Sequence, residues 1–151
     1  MTKMKLPVPA SLLGYFGVAP QFAALTLFWY GGEWGYLALN VGFFYPVLIF
    51  SFLGGIWWGQ AVANNELRAK VYVMSVLPSL VGLALFLSWI QGWFLPSFNL
   101  NCIGFLVICS PLVDRFLGYG NKDFLVLRWN LSMGLGLSTF ALGLLVSKAT
   151  H

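Results

Sequence analysis

Apolar residues in this chain run in long unbroken stretches, and five of these follow one another across short gaps: about 11–30, 35–63, 71–90, 98–117 and 124–146. A helix needs about 20 mostly apolar residues to cross a hydrocarbon core of about 30 Å, and every stretch is long enough. The runs do not alternate apolar with polar positions, which excludes a membrane barrel. Lipid gives a backbone amide no water to bond, so each stretch has to satisfy its own amides as a helix. The expected fold is all-α: an integral membrane protein, a five-transmembrane-helix bundle, with 1–151 as a single membrane domain. The gaps are too short for an extramembrane domain, so consecutive helices should be antiparallel neighbours. The second stretch has length to spare for a tilt or kink. No internal repeat is visible, which disfavours an inverted-repeat transporter in one chain.

Charge changes the picture by giving it a direction. Lys3 and Lys5 precede the first stretch, Arg68 and Lys70 fall between the second and third, and Arg115, Lys122 and Arg128 cluster between the fourth and fifth. Only Lys148 belongs to the other side, and seven against one is a positive-inside asymmetry. It predicts a cytoplasmic N-terminus and a C-terminus outside. Trp29, Trp34, Trp89 and Trp93 flank the two uncharged gaps, where indole rings favour the headgroup level. The short basic start resembles a signal peptide only superficially, because the apolar run continues too far and lacks a small-x-small cleavage site. With no organellar presequence visible, a bacterial inner membrane is the expected location and a mitochondrial inner membrane the alternative.

Composition then narrows the chemistry. The chain is 60% hydrophobic and only 8% charged, and its net charge of +4 is dispersed in singles and pairs beside apolar runs. That is membrane topology, and nucleic acid is not an expected partner. Cys102 and Cys109 are seven residues apart on one helix, roughly 10 Å along its axis, beyond disulfide reach. The sole histidine, His151, ends the chain, so no metal-ligand set converges and no cofactor is expected. Ser51, Ser79 and Ser132 have no histidine in the membrane to activate them, so no enzyme is expected.

Candidate sites are therefore built from packing residues and a few polar ones. Ser51, Gly55, Gly59 and Ala63 recur every four residues and form one stripe of small side chains on the second helix, with Gly54 and Trp58 beside it. Such a stripe is a helix-packing seam or a groove for a lipophile such as a lipid, quinone or isoprenoid. Pro20, Pro46, Pro78 and Pro111 fall in four different stretches, where each frees a backbone carbonyl and bends its helix. Asn40, Gln60, Asn64, Asn101 and Asn130 are read as interhelical glue, the asparagines lying near enough to the interfaces for water to satisfy them. Asp114 and Arg115 close the fourth helix and Arg128 opens the fifth. Their hairpin predicts either an Asp114–Arg128 salt bridge or a grip by Arg115 and Arg128 on an anionic headgroup. Glu66, Arg68 and Lys70 are read as a solvated loop.

The run Ser51-Phe52-Leu53-Gly54-Gly55-Ile56-Trp57-Trp58-Gly59 resembles the signature of the domain of unknown function 3429 family, that of transmembrane protein 69. Leu13-Gly14-Tyr15-Phe16-Gly17 with Pro20, then Leu77-Pro78-Ser79, Asp114-Arg115 and Leu127-Arg128-Trp129, follow in the order the family shows, over nearly the whole chain. Members often carry His or another polar residue where this chain has Trp57, a departure that weakens any expectation of an imidazole site. The resemblance implies a small multi-span membrane protein of bacteria and mitochondria and no particular activity. The expected function is that of a non-enzymatic accessory subunit packing in a homo-oligomer or a larger membrane complex. The alternative is a binder or carrier of a lipophilic molecule, with a solute or proton transporter behind it. Membrane lipids are the expected small-molecule partners.

Overall fold

The computed structural model describes residues 7–149; Lys3, Lys5 and His151 lie outside them. Helices α1 (Val8–Phe16), α2 (Ala19–Tyr30), α3 (Gly32–Ala63), α4 (Ala69–Gln91), α5 (Pro96–Leu117) and α6 (Lys122–Ala149) account for nearly all of it. Five segments are long and apolar enough to cross a membrane, with α1 and α2 together forming the first. The chain is a multi-pass membrane protein.

The first span is two helices because its sequence breaks it. Pro20 sits in the first turn of α2, where its missing N–H costs nothing, so it starts a helix instead of kinking one. The chain turns at Gly17 and Val18, and the phenol of Tyr45 donates to the Gly17 carbonyl at this break. At Pro46 and Pro111 proline frees a carbonyl inside a continuous helix, and a side chain supplies a new donor. Pro46 leaves the Gly42 carbonyl without its intrahelical partner, and Gln21 Nε2, buried on α2, donates to it at 3.1 Å. Pro111 does the same to the Val107 carbonyl, which accepts from Ser110 Oγ at 2.8 Å. These two carbonyls are taken by protein donors.

Helix α3 is the hub, touching α2, α4, α5 and α6. Its inward face is Phe43, Val47, Phe50, Gly54, Trp57 and Ala61, all buried and spaced by three or four. Glycine fixes the closest approaches. A Cβ on Gly54 would run into the Ser75 carbonyl of α4. Gly104 and Gly136 face each other between α5 and α6, where a Cβ on either would lie about 3 Å from the other's carbonyl oxygen. Backbones this close gain dispersion contacts that larger residues would prevent.

The stripe read from the sequence as a seam lies elsewhere. Gly55, Gly59 and Ala63 are exposed, and a Cβ on Gly55 or Gly59 would meet nothing within 4 Å. They form no packing seam inside the chain; Gly54, one residue earlier, does. Ser51 only reaches across to Ser79, Oγ to Oγ at 2.8 Å. Trp58 is about half exposed and meets Tyr72 edge-on, ring centroids 5.0 Å apart.

Candidate functional site

Span ends, where lipid gives way to water, are the cheapest places to keep a charge. Asp114 lies one turn before the end of α5 and Arg128 six residues into α6, so the hairpin sets the two at similar depth. Arg128 Nε donates to Asp114 Oδ2 at 2.9 Å, and Nη2 lies 2.8 Å from the same oxygen. The other carboxylate oxygen, Oδ1, accepts from Trp57 Nε1 at 2.7 Å. All three residues are buried, at 4%, 7% and 2% exposure. Charges this dry persist only when paired and hydrogen-bonded, and here three helices supply the partners.

Arg115 does not share this arrangement. One residue on from Asp114, it faces another side of α5, is exposed, and lines a separate cleft with Trp129 and Asn130. Arg115 and Arg128 therefore do not converge on one headgroup, and Arg128 already has its counter-charge. Trp57, which drew attention only as a departure from the family pattern, is the carboxylate's second donor.

Arg128 borders a cleft of about 450 Å³ whose other walls come mainly from α1, the α1–α2 break and α3, among them Leu13, Gly14, Ile49, Phe52 and Leu53. The lining on α6 runs from Phe124 to Leu135, about 16 Å of helix. Two polar side chains reach its wall, Arg128 and Ser132, and Ser132 is bonded to Ser110 at 3.1 Å. Arg128 Nη2 is buried against Oδ2 at 2.8 Å, so the carboxylate holds the guanidinium where its residue borders an apolar cavity. No group of three or more His, Cys, Asp or Glu that could hold a metal occurs among the described residues.

The loop read as solvated is ordered by Glu66, whose side chain is 12% exposed. It takes Arg68 Nε at 2.9 Å and Nη2 at 2.6 Å, and the Tyr119 phenol from the α5–α6 turn. The donated hydrogen bonds of Arg68 and Tyr119 hold the Glu66 carboxyl far below the ordinary range, and the Glu66 carboxylate raises Tyr119. Arg68 itself remains exposed.

Among the amides, Asn40 Nδ2 bonds the Tyr36 carbonyl, Asn64 that of Gln60, and Asn130 Nδ2 the Tyr15 hydroxyl. Asn101 departs from the expectation that water satisfies it: its Oδ1 is buried beside Gly143 without a partner. Trp89 is also more than an interfacial marker, since it stacks on Phe43 at 4.2 Å and 5°. Two fully buried amides, Gln21 and Asn99, escaped the sequence reading. Gln21 carried a signal in its place one residue after Pro20.

A helical membrane bundle with a buried Trp–Asp–Arg cluster beside an apolar cleft is the class of protein these features define. Residues 6–144 match the family described as "Protein of unknown function (DUF3429)", and the chain belongs to that family. Comparison with curated proteins gives no match, and neither does comparison with solved structures.

Proposed function

We propose that this protein is a non-enzymatic binder of a lipophilic molecule, held in the cleft between α1, α3 and α6. One observation carries the reading: the cleft of about 450 Å³ is walled by apolar side chains, with Arg128 and Ser132 the two polar residues at its border. The chemistry favours an uncharged polar end on the ligand. Asp114 already neutralises Arg128, so an anion would bring an unbalanced charge into a dry site, at a cost that an alcohol, ester or quinone oxygen avoids. Charge asymmetry supports an N-terminus in the cytoplasm, with the Arg128 end of the cleft toward that side.

Leu131→Trp, which fills the cleft from α6, is the test. Solvent extraction of the purified wild-type protein followed by mass spectrometry should recover one enriched lipid or isoprenoid, absent from the variant. Bulk lipid in bulk proportions from both proteins would overturn the reading.

The accessory-subunit reading is favoured by a separate observation, the open face at Gly55 and Gly59. A partner helix laid there would contact backbone directly. Native mass measurement in mild detergent should then show an assembly that Gly59→Leu dissociates; a wild-type monomer without a co-purifying partner rejects it.

A further inference from the structure

The opposite end of the bundle holds a second arrangement, independent of the Arg128 cleft. A cavity of about 530 Å³ lies under the α4–α5 loop, bordered by Tyr36, Asn40, Trp89, Trp93, Pro96 and Asn99. None of these residues is charged. Asn99 is fully buried, and its Oδ1 accepts from Ser88 Oγ at 3.0 Å, whereas its Nδ2 has no partner. The neighbouring amide, Asn40, is already engaged at both ends: Nδ2 donates to the Tyr36 carbonyl, and Oδ1 accepts from Trp89 Nε1 at 3.3 Å. Asn99 Nδ2 is the buried polar side-chain atom of this wall without a partner, while the Tyr36 phenol and the Trp93 indole stand at the exposed rim.

An unmade donor buried in a protein costs about 1–3 kcal/mol, so such a group is uncommon unless something bonds it. The donor dictates what that is: an amide NH2 offers N–H groups and no free lone pair, so its partner has to be an acceptor. A cation finds no counter-charge in this wall, and an anion finds no positive one. The aromatic surroundings suit a flat apolar body. We propose that this cavity binds an uncharged carbonyl oxygen through Asn99 Nδ2, the carbonyl belonging either to a quinone-type ring or to the ester linkage of a membrane lipid.

Infrared difference spectroscopy on the full chain in nanodiscs distinguishes the two sources and the failure of both. The first arm uses ether-linked phospholipid, which has no ester carbonyl, and adds a short-chain benzoquinone with a 13C-labelled carbonyl. The second uses phospholipid with 13C-labelled ester carbonyls and no quinone. A saturable, down-shifted carbonyl band in the first arm identifies the quinone-type ring, and one in the second identifies the lipid ester. In whichever arm shows it, Asn99→Leu should weaken binding about tenfold, while Leu131→Trp in the distant cleft leaves it in place. Absence of a shifted band in both arms with the wild-type protein overturns the proposal without reliance on any variant. So does a band that Asn99→Leu leaves unchanged in a variant with wild-type thermal stability.

Discussion

Asp114 is a carboxylate with almost no contact with water, and its ionised form rests on what Arg128 and Trp57 donate. Removing one ion of a buried pair strands the other, which costs about 3–5 kcal/mol, whereas replacing both with apolar groups is often nearly neutral. Arg128→Met should therefore lower stability by about that amount, and Asp114→Leu combined with Arg128→Met should recover most of it. Denaturant titration of the two variants in the same detergent micelle checks this. A double variant as unstable as the single one would mean that the cluster does more than balance charge. The Asp114–Arg128 pairing was legible in sequence because an antiparallel hairpin brings the end of one helix beside the start of the next. Trp57 was not, since nothing along the chain says that α3 passes the same point.

Helices pack by faces, and a face is decided by angle as much as by composition. Successive residues on a helix differ by about 100°. The stripe Ser51, Gly55, Gly59 and Ala63 and the face Phe50, Gly54, Trp57 and Ala61 are therefore neighbours along the chain but point in different directions. The sequence marked the second helix as glycine-rich without saying which glycine meets a neighbour, because both stripes have helical spacing and small members. The span positions themselves were readable to within a few residues, since apolar length is set by the bilayer. Pro20 was harder: its role depends on whether the helix continues before it, and Gly17 ends α1. The rotational assignment gives a direct test. Gly54→Leu drives a side chain into the Ser75 carbonyl and should cost about 3 kcal/mol. Gly55→Leu enters open space and should change the stability of the isolated chain by less than about 0.5 kcal/mol. Thermal unfolding of the two variants side by side reads the difference, and equal losses would mean that the inward face of α3 is wrongly assigned.

Across the whole molecule, the two large hairpins α3/α4 and α5/α6 are tied at one end by Glu66 and Tyr119, which join the α3–α4 loop to the α5–α6 turn. Tyr72 adds a bond to the Glu66 carbonyl at 3.0 Å, and Arg68 holds the carboxylate from the exposed side. The direction of each titration follows from who donates. A phenolate cannot donate to a carboxylate and repels it, so Tyr119 is raised above its ordinary value of 10.0. Its contribution is complete below that value and is lost as pH rises through the raised one. Glu66 is lowered from 4.5, so its contribution is complete above 4.5 and is lost only as pH falls through the lowered value. Between these limits the tie should be indifferent to pH. Hydrogen exchange across residues 64–70 should accordingly show protection beyond the intrinsic, base-catalysed rate that is constant near neutrality and declines above about pH 10. Tyr119→Phe should lower that protection at neutral pH and remove the alkaline decline, because the titrating group is gone while the ring still packs. An unchanged alkaline decline in Tyr119→Phe would assign it to another group and leave the two hairpins joined only by their helix contacts.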